Sequence, residues 1–288
     1  MVNKNYFYIL PAMVIYLIFL IAPILFGIFA SFFNWSPYAP LEFEYVGLRN
    51  FAYMQGDWIF WHGLKNTIIL TVSTVILQLL VGLLLAVGIS SIKRGKTAYL
   101  ALNSIPLIIP VAFVGILWLW MCNPDIGMLS WVFNKFGLFK RGLLGDPQLA
   151  FPTVVIANIW RWIGFSLIIY FAALQQIPEE LYEAARIDGA KSWDTFRHIT
   201  LPLLKPTTII LIILVASGAA FMSFDLVFNM TGGGPGYSTY IAPLYVYKQA
   251  FYYGSASYAS AMSVFMFVML LVFTAIYLKA TKFTKLLR

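Results

Sequence analysis

Charge is scarce in this chain, and a disproportionate share of it is gathered in one place. Charged residues make up 10% of the 288 positions, yet Glu179, Glu180, Glu183, Arg186, Asp188, Lys191, Asp194, Arg197 and Lys205 fall within one short stretch. Their types and spacing suit a contact surface better than a reaction. No Ser/His/Asp set, HExxH motif or paired-carboxylate arrangement occurs anywhere, so the chain is not expected to be an enzyme. The single cysteine, Cys122, excludes an internal disulfide and a cysteine cluster, and His62 and His198 are too far apart in sequence to suggest a metal site. Gly232 to Gly236 lacks the Lys-Ser/Thr that a phosphate-cradling loop requires. Two charges, Arg161 and Asp225, stand inside apolar stretches. Ionisable groups at membrane depth are costly unless they face protein or water, which makes Arg161 a functional candidate that Asp225 could pair with across the bundle; the alternative is that Arg161 lies near the outer end of its span and snorkels to water.

The polar stretch itself reads as helix, turn and second helix. Pro178 suits a first helical position, and Glu179 and Glu180 put negative charge where the helix dipole favours it. Leu181, Ala184, Ala185 and Asp188 recur three or four apart, giving a small, largely apolar stripe that another surface could approach closely. Gly189 supplies a left-handed helix end, with Lys191 near its negative pole. Ser192 is expected to cap a second helix that Pro202 and Pro206 kink or stop.

The remainder is built for lipid. Hydrophobic residues reach 61%, aromatic residues 18% and the mean hydropathy +0.83, well beyond a soluble domain. Spans need roughly twenty apolar residues. Six are expected: Tyr6 to Phe33, Thr67 to Ile92, Tyr99 to Cys122, Phe151 to Leu174, Thr207 to Met230, which holds Asp225, and Ser260 to Thr281. The first is too long, and too poor in small residues at a cleavage point, to be a removed signal peptide. Pro106 and Pro110 predict a bend in the third, and Asn34 to Lys65 an outer loop whose aromatic residues form an interfacial belt.

Basic residues set the orientation. Twelve lie on the side of the termini (Lys4, Lys93, Arg94, Lys96, Arg186, Lys191, Arg197, Lys205, Lys279, Lys282, Lys285, Arg288) and six on the other (Arg49, Lys65, Lys135, Lys140, Arg141, Lys248). Both termini and the polar stretch are therefore expected in the cytoplasm. The net charge of +8 follows from this scatter at span ends and does not indicate nucleic-acid binding. No repeat or linker divides residues 1–288, so a single all-α membrane domain is expected.

Glu183-Ala184-Ala185, three residues, Gly189, nine residues, then Ile199-Thr200-Leu201-Pro202 resembles the "EAA" loop of permease subunits of binding-protein-dependent ABC importers. Val46 to Phe51 (VGLRNF) and Phe224 to Tyr240 (FDLVFNMTGGGPGYSTY) resemble segments of carbohydrate permeases of the maltose and glycerol-3-phosphate type, and the likeness runs from Gly47 almost to the C-terminus. The resemblance implies the type I importer permease fold and a coupling loop at about 175–206. It also implies coupling residues Glu183, Ala184, Ala185, Asp188 and Gly189 that dock on a cytoplasmic ATPase dimer. ATP and Mg would be bound by that partner, with no cofactor in this chain. A second, different permease subunit, an extracytoplasmic sugar-binding protein and a carbohydrate substrate complete the implied system, in a prokaryotic cell membrane. By the same likeness the substrate pathway holds Asn158, Arg161, Trp162 and Ser223, although Arg161, Trp162 and Ser223 are not identities with the family's residues. The alternative is an ion-coupled secondary transporter, for which Arg161 and Asp225 are a thin supply of ionisable groups.

Overall fold

The computed structural model describes residues 6–92, 94–136 and 142–281. Of the basic residues counted above, Lys4, Lys93, Lys140, Arg141, Lys282, Lys285 and Arg288 lie outside them. In chain order the elements are α1 (Ile9–Ala30), β1 (Phe33–Ser36), β2 (Ala39–Tyr45), α2 (Arg49–Gly56), α3 (Trp58–Ser91), α4 (Lys96–Ile108), α5 (Val111–Met121) and α6 (Met128–Lys135). There follow α7 (Pro147–Leu174), α8 (Glu179–Ile187), α9 (Ser192–Phe221), α10 (Phe224–Met230), α11 (Ala242–Phe251) and α12 (Ala256–Ala280). Five of these helices are long and apolar enough to cross a membrane, and α4 with α5 makes a sixth span bent by 94°. The bend falls at Ile109 and Pro110, both in extended conformation, as Pro110 dictates for the residue before it.

Two compact units form. The first joins the described residues up to Trp61 to Pro243–Phe273, and the second joins His62–Ala242 to the described residues from Thr274. In the first unit the expected aromatic outer loop contains an antiparallel hairpin, pairing Phe33 with Tyr45 and Asn34 with Glu44. Trp35 and Phe43 stack with ring centroids 6.0 Å apart, and Ser257 binds the backbone of Trp35 on both its N–H (2.8 Å) and its C=O (3.0 Å). Asp57 caps α3 by accepting from the N–H groups of Ile59 and Phe60, and its other oxygen accepts from the hydroxyls of Tyr245 (2.8 Å) and Tyr258 (2.6 Å). That cap explains why the second span starts at Trp58, nine residues ahead of the expected Thr67.

In the second unit α3, α7 and α9 enclose the core, with Leu79, Ala86, Ile89, Leu167, Tyr170, Phe171, Leu204, Leu211 and Val215 buried together. Small residues set the spacing, as they do wherever helices associate without a hydrophobic drive between them. A Cβ on Gly82 of α3 would lie 2.8 Å from the Ser166 Cβ of α7, and one on Gly115 of α5 would lie 2.8 Å from Asn229 of α10.

The fifth span differs from expectation at both ends. Pro202 and Pro206 neither stop nor break α9, because a π-helical turn over Phe196–Thr200 precedes them and the Leu201 N–H bonds back to Phe196. The extra residue in that turn absorbs the N–H and space that Pro202 denies a regular helix. At the other end α9 stops at Phe221, and Asp225 sits on the separate helix α10, exposed. Asp225 is thus not inside the fifth span.

Candidate functional site

A cavity of about 190 Å³ opens in the second unit where α3, α7 and α9 meet. Thr74 and Gln78 line it from α3, Asn158, Trp162 and Phe165 from α7, Leu214, Val215, Gly218 and Ala219 from α9, and Met222 just past the end of α9. Buried polar groups must be paired. Asn158 donates through Nδ2 to the Thr74 hydroxyl at 3.1 Å, and Gln78 donates through Nε2 to the Trp162 carbonyl (3.1 Å) and the Ser166 hydroxyl (2.8 Å). Such interhelical bonds contribute on the order of 1 kcal/mol each in a membrane bundle. They also fix α7 against α3 where the cavity opens.

Of the four residues expected on a substrate pathway, Asn158 and Trp162 line this cavity, while Arg161 and Ser223 do not. Ser223 is buried, and its hydroxyl donates to the Ala219 carbonyl at 2.8 Å, a bond internal to the turn that ends α9. Arg161 lies half-buried with its guanidinium carbon 4.5 Å from the Trp162 ring, a cation–π stack, and its Nε is buried without a hydrogen-bond partner. Arg161 and Asp225 make no direct ion pair, but the Asp225 carboxylate still acts on the Arg161 guanidinium through space. The α9/α10 break places the carboxylate on a helix that packs chiefly against α5 and also touches α7.

Thr74 and Gln78 were absent from the expected set, though a signal existed. Thr67, Thr71, Thr74 and Gln78 recur at helical spacing through an apolar span, marking one polar face of α3.

Between α7 and α9 in sequence, α8 has no buried residue. Glu183 and Ala184 are exposed, Ala185 is half-buried, and Ile187 (86% exposed) and Trp193 (66%) present large apolar side chains to solvent. Pro178, at φ −57 and ψ 132, caps the helix and does not occupy its first turn. At the other end Asp188 closes the helix and Gly189 adopts φ +78. The Gly189 N–H bonds to Arg186 (3.1 Å) and the Ala190 N–H to Ala185 (2.9 Å), a complete Schellman ending. The start of α9 is capped by the Asp194 carboxylate, which accepts from the Lys191 N–H at 3.2 Å, and Ser192 supplies no cap. The Tyr182 and Thr200 hydroxyls meet at 3.2 Å, tying α8 to α9.

Residues 78–282 match the family of the binding-protein-dependent transport system inner membrane component. The chain belongs to this family. Among its relatives, the trehalose/maltose transport permease of Thermococcus litoralis is 34% identical, over 98% of this chain and 94% of its own length. The bacterial ABC transporter that imports the acidic polysaccharide alginate contains a chain of the same fold, with a TM-score of 0.85 and 25% identity over 96% of this permease and 94% of that chain. The same transporter in complex with its alginate pentasaccharide-bound periplasmic protein gives a TM-score of 0.82 at 25% identity, over 95% and 92%. The permease therefore has the type I ABC importer fold, and it is a membrane-spanning transport component, as its EAA segment and apolar spans implied.

Proposed function

We propose that this permease forms one half of the pathway of an ATP-driven carbohydrate importer and couples that pathway to a cytoplasmic ATPase dimer through α8. One observation carries the reading: α8 and the cavity are joined by a single helix. α9 begins at the turn that follows Gly189 and ends at the cavity wall, to which it contributes Leu214, Val215, Gly218 and Ala219, and thirty residues at 1.5 Å each span about 45 Å. A push on α8 from a closing ATPase reaches α9 through the Tyr182 to Thr200 contact and the short connecting turn, and displaces the cavity wall. Alternating access follows when ATP binding and hydrolysis push and release it. ATP and Mg belong to the ATPase subunits, the carbohydrate arrives on an extracytoplasmic binding protein, and a second, different permease completes the pathway. Family membership displaces the ion-coupled alternative.

Carbohydrate as cargo is supported by the cavity lining. Trp162 offers a flat apolar face and the Asn158 and Gln78 carboxamides offer hydrogen-bonding groups, the mixture that polyols and sugars require. The deciding experiment reconstitutes the full complex in liposomes and measures ATPase stimulation by binding proteins loaded with trehalose, maltose or alginate pentasaccharide. Stimulation by none of them counts against a carbohydrate cargo. With the sugar that stimulates, Asn158→Ala and Trp162→Ala should each raise the apparent transport constant about tenfold, the loss of roughly one hydrogen bond or one stacking face. Copurification with the ATPase controls for assembly, and unchanged transport in both variants removes them from the pathway.

The orientation has its own test. In a Cys122→Ser background, Ser192→Cys should label only after permeabilisation and Tyr237→Cys in intact cells, since the proposal puts the α8 and α9 turn in the cytoplasm. Labelling of both from the same side would overturn the topology.

A further inference from the structure

We propose that the carboxamide oxygen of Gln78 is a ligand acceptor in the transport pathway, taking a hydrogen bond from a hydroxyl of the carbohydrate as it passes. The inference rests on the reading of the α3/α7/α9 cavity as that pathway. Gln78 is 1% exposed, lines the cavity, and spends both hydrogen bonds of its nitrogen on α7, at the Trp162 carbonyl and the Ser166 hydroxyl. The Trp162 carbonyl can only accept, so it fixes which way the carboxamide points; a flipped amide would set two acceptor oxygens against each other. Oε1 is thereby left buried with no hydrogen-bond partner in the protein. An unpartnered buried acceptor carries a desolvation cost that a passing donor relieves, and a low-dielectric wall strengthens the bond when it forms.

The neighbouring groups sharpen the selection. Asn158 spends an amide hydrogen on Thr74, while Gln78 Oε1 is a cavity-lining acceptor that is buried without a partner. A hydroxyl satisfies that acceptor, whereas a carboxylate, phosphate or ether oxygen presents a second acceptor and is repelled. Gln78 also holds the backbone of Trp162, so the side chain that receives a hydroxyl fixes the helix carrying the apolar face. The chemical class this position selects is a hydroxyl-rich sugar segment, and Gln78 is a specificity residue for it.

Two measurements on the reconstituted complex test this. In a Cys122→Ser background, Gln78→Cys is expected to react with 2-aminoethyl methanethiosulfonate in at least one nucleotide state. If Asn158→Cys and Trp162→Cys react in either state while Gln78→Cys reacts in neither, the Gln78 inference is overturned and the pathway stands; if all three resist, the pathway reading falls with it. The second measurement follows uptake of trehalose and maltose and of their monodeoxy analogues. Gln78→Met should raise the apparent KM of a carried sugar about tenfold. For one monodeoxy analogue the wild type should show the same loss and Gln78→Met no further one, the signature of a single shared hydrogen bond. An equal penalty on the parent sugar and every analogue would mean that Gln78 only braces α7, and would overturn its role as acceptor.

Discussion

Gly189→Pro is expected to reduce uptake to background while the chain still inserts into the membrane. Gly189 sits at φ +78, and a Cβ built there meets nothing within 4 Å, so its backbone conformation, not its small size, is what the site requires. Proline fixes φ near −65° and has no N–H. The substitution therefore forfeits both the left-handed turn and the bond from the Gly189 N–H to the Arg186 carbonyl. Together these cost on the order of 3 kcal/mol, enough to unravel the end of a nine-residue helix that has no buried residue of its own. Gly189→Ala keeps the N–H and meets only the left-handed penalty of about 1 kcal/mol, so it should retain most uptake. Glu183→Lys, on the exposed face, reverses a charge without touching the fold and should weaken retention of the ATPase with the α8 geometry intact. Uptake in proteoliposomes and copurification of the ATPase are the readouts. Normal values for both in Gly189→Pro and Glu183→Lys would remove α8 from coupling.

The spans were legible because lipid imposes one simple demand, a long apolar run, and that demand is met wherever twenty such residues occur. Gly189 was legible for a similar reason, since few residues other than glycine end a helix in the left-handed region. What the sequence hid were features decided by neighbours in space. The stop at Met222 has no proline or glycine to announce it; it comes where α10 turns to pack on α5 beside Gly115. Taking residues 207–230 as one continuous helix put Asp225 in lipid and suggested a pair with Arg161. Once the break is known, Asp225 is seen to be exposed on α10, from where it acts on Arg161 through space without a direct ion pair. The hairpin over Phe33–Tyr45 was read as an aromatic belt because the same residues serve either end, and only the partner Ser257, more than two hundred positions away, distinguishes them. Within the cavity, Asn158 and Trp162 were found through a family likeness, whereas Gln78 and Thr74 required only attention to the polar face of α3.

The span bent at Pro110 depends on a close contact, and Gly164→Val should break it. A Cβ on Gly164 of α7 would lie 2.7 Å from the Asn103 carbonyl oxygen and 3.0 Å from the Ser104 Cα, both backbone atoms of α4 that no rotamer change can move. The crossing of α4 over α7 therefore has to open by several tenths of an ångström for alanine and by more for valine, whose branched carbons extend the clash. Overpacking of this kind costs typically 1 to 3 kcal/mol, and here the strained element is half of a span already broken by 94° and unable to shorten its detour. Gly164 also lies two residues from Trp162 and from Ser166, so a displaced α7 loosens the Gln78 bonds that shape the cavity. The expected result is a permease that is synthesised but recovered largely aggregated from detergent, with the residual folded fraction melting several degrees lower; Gly164→Ala should fall between the two. Gly88→Val is the control, because a Cβ at Gly88 meets open space on the exposed side of α3 and leaves every helix crossing unchanged. Size-exclusion profiles and thermal scans of the three variants decide it, and wild-type behaviour of Gly164→Val would mean that α4 does not rest on α7 at this point.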